Sequence, residues 1–181
     1  MSAKVPLGIF WDIENCQIPV RKSVSSCVKQ LRDFIARRHP ECGYAKEFSC
    51  ACDVYTLGKT TSEALDKNGV LVVHVNNSAK NAAEDKLQEL IDMYVDNHGT
   101  GGSAVLCIIS SDINLAKQIR MARRKDLDVV LIHGVNCSQD LKNLVEEYYL
   151  YDDIIETAEN LNRIGDNQIK PGINQLMVFY D

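Results

Sequence analysis

The feature that most constrains this chain is an alternation of two periodicities. Short apolar runs rich in β-branched residues occupy 7–11, 48–55, 70–75, 104–110 and 128–133. Between and after them, at 24–38, 61–67, 82–97, 113–124 and 139–149, apolar residues recur with the spacing of amphipathic helices. Strand–helix repeats of this kind build βαβ units, in which each strand returns parallel to the last and helices cover both faces. The expected architecture is therefore α/β, with three layers and a central, mostly parallel sheet of about five strands flanked by helices.

A chain of 181 residues with 45% apolar composition can bury one sizeable core, which assigns residues 1–159 to a single domain. The remaining tail, 160–181, mixes Gly, Pro, Asn and Asp before running into Gln-Leu-Met-Val-Phe-Tyr, as a linker feeding a short strand would. That strand is expected to add to a sheet edge or to mediate self-association. The loop 97–103 is Gly-rich and carries no identifiable chemistry.

A formal net charge of −5 argues against a general electrostatic grip on nucleic acid, so any RNA site has to be a local basic patch. The seven cysteines form no CxxC pair and are accompanied by no paired histidine spacing of a zinc site, so they read as free thiols of a reducing compartment. No h-region follows the N-terminal Met-Ser-Ala-Lys-Val-Pro. No run approaches the roughly 18 apolar residues needed to cross a bilayer. A soluble, cytoplasmic protein with no membrane partner is expected.

In a parallel α/β sheet the strands end, and the following helices begin, at one edge, where ligands bind. Asp12, Asp53 and Asp112 close the first, second and fourth strands, so their carboxylates converge there. The helix after the third strand opens Asn81-Ala82-Ala83-Glu84-Asp85. Asn81 and Glu84 have the spacing of a capping box, which leaves Asp85 free to face the ligand edge and Glu84 in reserve. Clustered carboxylates repel unless hard cations such as Mg²⁺ or Mn²⁺ lie between them, and such ions drive in-line hydrolysis of phosphodiesters. Taken singly, each Asp is explained by capping or turn chemistry, Asp53 most readily of all.

The motifs Phe10-Trp11-Asp12-Ile13-Glu14-Asn15-Cys16, Asn81-Ala82-Ala83-Glu84-Asp85-Lys86-Leu87 and Ser110-Ser111-Asp112-Ile113-Asn114, in this order and spacing, resemble the NYN domain family, in its limkain-type group, over roughly residues 6–155. The resemblance implies a PIN-like fold and metal-dependent endonucleolytic cleavage of single-stranded RNA, serving mRNA decay or silencing. It places catalytic acids at Asp12, Asp85 and Asp112, which would bind Mg²⁺ or Mn²⁺, and favours Asp53 as a fourth. Asn15, Asn114 and Ser111 match polar companions of the first and last acids, with helix capping as the alternative role of the two Asn residues. Family members of this type carry separate RNA-binding modules; none is visible here, as in a catalytic domain excised from a longer parent chain.

Lys117, Arg120 and Arg124 share one face of the helix after Asp112, opposite Leu115, Ile119 and Ala122. They are candidates to guide RNA, as is Lys80 before Asp85; a plain solvated face is the alternative. Trp11, next to Asp12 on a strand, faces the other way and is expected to be buried. No nucleotide cofactor is expected. Gly58-Lys59-Thr60 imitates a P-loop, but Asp53 stands where that motif needs glycine, and Thr60 with Glu63 suits a capping box. No GxGxxG follows the first strand, and Glu14 stands where a haloacid-dehalogenase-type phosphatase needs Asp. The rival with most weight is an NYN domain of weak catalysis that binds RNA or a protein partner.

Overall fold

The computed structural model describes residues 4–76, 81–99 and 103–160, with side chains described as far as 156. The expected tail strand and Lys80 lie outside these residues. Six parallel strands form one sheet: β1 (Leu7–Trp11), β2 (Glu47–Cys52), β3 (Leu71–His74), β4 (Val105–Ile109), β5 (Asp128–His133) and β6 (Glu147–Leu150). Their spatial order is β3-β2-β1-β4-β5-β6. The chain thus winds outward from β1 to β3, crosses back, and winds outward again from β4 to β6.

Alternation along each strand sorts the side chains into two cores. Ile9, Trp11, Phe48, Cys50, Cys107, Ile109, Val130 and Ile132 face one layer, where they meet helix α1 (Val24–Arg38), α3 (Lys59–Lys67) and α7 (Tyr151–Asn160). Phe10, Ala51, Leu106, Ile108, Val129 and Leu131 face the other, against α4 (Ala82–His98), α5 (Ala116–Arg124) and α6 (Gln139–Lys142). Trp11 is fully buried and donates its indole N–H to the Cys16 carbonyl at 2.8 Å, which pins the loop after β1. Ser23 caps α1 by accepting the Ser26 N–H. Among the described residues no helix is long and apolar enough to cross a membrane.

Three expectations are corrected. The second strand, expected over 48–55, ends at Cys52, because Asp53 caps a one-turn helix, α2 (Val54–Leu57). The helix expected over 139–149 is instead the single turn α6, capped by Ser138, followed by β6 paired with β5. Leu141, Leu144, Val145 and Tyr148 mimic helical spacing, but Glu-Tyr-Tyr-Leu is an aromatic, β-prone segment that completes the sheet edge. The capping box of Thr60 and Glu63 is absent as well: α3 starts at Lys59 from Gly58 in a positive-φ conformation with no side-chain cap.

Gly8 marks how tightly α4 sits on the sheet. A Cβ there would lie 2.7 Å from the ring of Tyr94, whose hydroxyl donates to the Val105 carbonyl at 3.0 Å. At the opposite end of the same face, His133 is 5% exposed, packs against Tyr148, and donates from Nδ1 to the Gly134 carbonyl. Burial holds its imidazole below the ordinary 6.5; the Gly134 hydrogen bond opposes this and the Lys142 charge adds to it. The folded state therefore binds this proton less tightly than the unfolded state, and stability falls as pH drops from the ordinary value through the folded one. We expect His133→Gln to flatten the stability profile across that interval, measured by urea unfolding at a series of pH values; an unchanged slope would refute this role for His133.

Candidate active site

The strand order reverses between β1 and β4, and in an open parallel sheet that switch point leaves a crevice at the carboxyl ends of the strands. Asp12 and Ser110 are the residues that leave the two strands at this point. The Asp12 N–H continues the ladder by donating to the Ile109 carbonyl at 2.9 Å, and the Ser110 N–H donates to the Ile132 carbonyl at 3.0 Å. Each side chain thus projects from a backbone fixed by its neighbour.

Asp12 is 9% exposed. Its Oδ2 accepts from the Asn15 side-chain amide at 2.6 Å and from the Ser110 hydroxyl at 2.7 Å, and its Oδ1 accepts from the Asn15 N–H at 3.2 Å. These donors are neutral; they orient the carboxylate without cancelling its charge. Its field reaches Cys16, whose thiol is pushed up to about 12, first by burial and next by Asp12. The fully buried Ser110 also accepts the Asp112 N–H at 3.0 Å, so one hydroxyl ties the two acids together. Ser110 was not among the residues nominated from sequence. The nominated Ser111 accepts the Gly134 N–H at 2.8 Å and links β4 to the end of β5.

Asp112 caps the 3₁₀ turn Ile113–Leu115 by accepting the Asn114 N–H at 2.9 Å. The first turn of α4 departs from expectation. Asn81 adopts a left-handed conformation, φ 67°, and makes no side-chain cap, so the capping box with Glu84 does not form. Glu84 accepts from Gln88 and lies against Asp112 instead. Its pKa is raised, chiefly by burial and then by the Asp112 charge, while Asn114 acts in the opposite sense. Asp85 is exposed on the same turn. Capping spacing is what put Glu84 in reserve behind Asp85 in the sequence reading, and that cap is absent.

Asp53 behaves as a cap: it accepts the Tyr55 N–H at 2.9 Å and stands 4.0 Å from His74 Nδ1. It also lines a cleft of about 380 Å³ with Glu14, Gln17, Lys22 and Thr56, alongside the acidic edge. Among the described residues, Asp12, Asp85 and Asp112 are not drawn into a group whose ligand atoms lie close enough together to hold an ion. The donor set is nevertheless carboxylate oxygen flanked by neutral amides and hydroxyls, which fits hard cations such as Mg²⁺ or Mn²⁺. Lys117, Arg120 and Arg124 are exposed on α5, and no ion pair to them occurs among the described residues. Arg123, by contrast, is bound to the Leu144 carbonyl and to Glu146.

The fold is a doubly wound parallel α/β sheet with acids at its switch point, and the family it matches makes it a nuclease-like domain. The chain belongs to the NYN domain family, whose match spans residues 6–156. It is 35% identical over 151 residues to the meiosis regulator and mRNA stability factor 1 of Xenopus tropicalis, a match covering 83% of this chain and 9% of that protein. The same-named proteins of Gallus gallus and Mus musculus are 33% and 32% identical over 151 residues, again 83% of this chain and 8% of each of theirs. The shared segment is thus under a tenth of the length of these relatives.

If Ser110 couples the two acids, Ser110→Ala strands the Asp112 N–H and removes a donor from Asp12, at a cost of about 1–3 kcal/mol. For a domain of this size that lowers the melting temperature by roughly 2–4 °C per kcal/mol. Calorimetry should show this loss for Ser110→Ala and recovery in Ser110→Thr; equal melting of all three proteins would sink the assignment.

Proposed function

We propose that this chain is a divalent-metal-dependent endoribonuclease that hydrolyses phosphodiester bonds of single-stranded RNA in mRNA decay or silencing, with Mg²⁺ or Mn²⁺ as cofactor. The observation that carries this reading is the buried Asp12 carboxylate at the switch point, oriented by neutral donors and joined through Ser110 to Asp112. Asp12, Asp112 and an acid from the first turn of α4 would hold the ion; Glu84 lies nearer to Asp112 by contact, and Asp85 has the family motif in its favour. When bound, such an ion supplies charge neutralisation and Lewis-acid activation for in-line displacement at phosphorus. The chain's own groups do the positioning. Asn15 holds Asp12, Asn114 fixes Asp112, and the cleft beside Asp53 has room for a nucleotide of the incoming strand.

Cleavage of a labelled single-stranded RNA with Mn²⁺, Mg²⁺ or EDTA tests the proposal. Activity should vanish in EDTA and fall on the order of a hundredfold or more in folded Asp12→Asn and Asp112→Asn variants, because even partners outside the metal's direct ligands cost 10–100-fold. Comparing Glu84→Gln with Asp85→Asn then identifies the third ligand by the larger loss. RNA that stays intact yet bound under all conditions would instead make the domain an RNA-binding module of weak catalysis.

The exposed α5 face supplies the path for the phosphate backbone in this reading. Replacing Lys117, Arg120 and Arg124 together by Gln should weaken RNA binding uniformly across sequences. The slope of log affinity against log salt should shrink by about 2, at roughly 0.7 per phosphate contact on a single strand. Fluorescence anisotropy at several salt concentrations measures both, and an unaltered slope would leave α5 as an ordinary solvated face.

A further inference from the structure

A second polar cluster lies at the opposite edge of the sheet. His39 ends α1, its N–H donating to the Ile35 carbonyl at 2.8 Å. Glu41 and Cys42 follow in a turn closed by the Cys42 N–H on the His39 carbonyl at 3.0 Å, and Cys42 is stitched to Val5 before β1. The two ring nitrogens of His39 have separate partners. Nδ1 lies 3.0 Å from Glu41 Oε1, and Nε2 lies 3.1 Å from Glu147 Oε2, on β6 and 108 residues away. Glu147 is itself held by the Tyr149 hydroxyl, which donates to its Oε1 at 2.6 Å. One ligand atom from each of His39, Glu41 and Cys42 lies within 4.8 Å of the others.

We propose that His39 Nδ1, Glu41 and Cys42 bind a borderline-soft divalent transition-metal cation, Zn²⁺ foremost, with Glu147 orienting the imidazole. A nitrogen, an oxygen and a sulfur donor suit Zn²⁺ and are a poor set for Mg²⁺ or Ca²⁺, which take oxygen alone. A metal-bound histidine typically donates its other N–H to a carboxylate, which fixes the tautomer and strengthens the ligand. Glu147, anchored by Tyr149, stands where that acceptor belongs. The C-terminal end of α1 adds a partial negative charge that favours a cation. Tetrahedral Zn²⁺ holds its ligand atoms roughly 3.5 Å apart. Rotation of the Cys42 and Glu41 side chains closes the difference, and Glu41 is exposed enough to admit the ion. On binding, the Cys42 thiol loses its proton to solvent as the sulfur–metal bond forms, and water completes the coordination. An imidazolium ion-paired with Glu41 and Glu147 would leave the Cys42 side chain only its packing against the core, so the Cys42 thiol separates the two explanations.

The site differs in residues and ligand chemistry from the acidic edge, so its test is independent of RNA cleavage. The full chain, reduced and in excess Mg²⁺, is titrated with Co²⁺ while absorbance is recorded. We expect one equivalent to produce a thiolate-to-cobalt charge-transfer band, which carboxylate sites do not give, and Zn²⁺ to displace it. Cys42→Ser should abolish the band, His39→Gln should weaken binding at least tenfold, and Glu147→Gln should weaken it by about 10–100-fold with the band retained. Circular dichroism confirms that each variant is folded. Absence of the band, or a band that persists in Cys42→Ser, overturns the proposal, as does binding unaffected by loss of His39.

Discussion

The pairing of β1 with β4 is the constraint from which the rest of this domain follows. These central strands are buried on both faces, and their register from Leu7–Val105 to Trp11–Ile109 brings them to an end level with each other. Because the chain winds away from them in opposite directions, their carboxyl ends flank the crevice of a topological switch point. A register slip of one residue would exchange every side chain between the two cores, sending Trp11 towards α4 and Phe10 towards α1. The same slip would separate Asp12 from Ser110. The apolar pattern that fixes the fold therefore also fixes the geometry of the acids.

Among the described residues, that geometry sets carboxylates close together against neutral donors. Burial penalises an ionised carboxylate, and a neighbouring carboxylate penalises it again. The raised pKa of Glu84, due first to burial and then to Asp112, shows both effects acting in one place. A purely structural site would be expected to set an arginine or lysine against these groups; the contacts made to Asp12 come from an amide, a backbone N–H and a hydroxyl. Such donors hold the oxygens in place while leaving their charge available to a cation. This is the physical content of the nuclease reading, and it rests on the nature of the donors and not on a count of acids.

Much of this was legible in the sequence, because it depends on local signals. The limits of α1 and of β1 and β5 coincide with the periodicity, and Asp12 and Asp112 stand at the strand ends where the motifs put them. What escaped depends on tertiary context. β6 escaped because an edge strand of four half-buried residues lacks the apolar run that marks a central strand. Ser110 escaped because a serine in Ile-Ile-Ser-Ser-Asp gives no sign of which hydroxyl turns inward; strand alternation decides it, sending Ser110 to Asp12 and Ser111 to Gly134. Glu84 was ranked behind Asp85 because capping spacing is necessary for a cap but not sufficient: the left-handed backbone at Asn81 disables it. Asp53 shows the opposite case, in which the local turn chemistry that weakened its candidacy is what the structure contains.

The two edges of the sheet differ in the charge they welcome, and the parallel topology is the reason. At the carboxyl edge the long helices begin, presenting the positive ends of their dipoles, which moderate the repulsion among carboxylates and favour an incoming phosphate. At the amino edge the helices finish, and their negative ends favour cationic groups. His39 at the end of α1, Arg38 over the Tyr149 ring, and Lys125 on Asp96 all follow that rule. A hard-oxygen site at one edge and a nitrogen–oxygen–sulfur site at the other would therefore not compete for the same ion. The first would be tied to a transient polyanionic substrate. The second would bridge the end of α1 to β6, an edge strand whose four residues are only half-buried, and would stabilise the sheet edge without touching the chemistry at the opposite end.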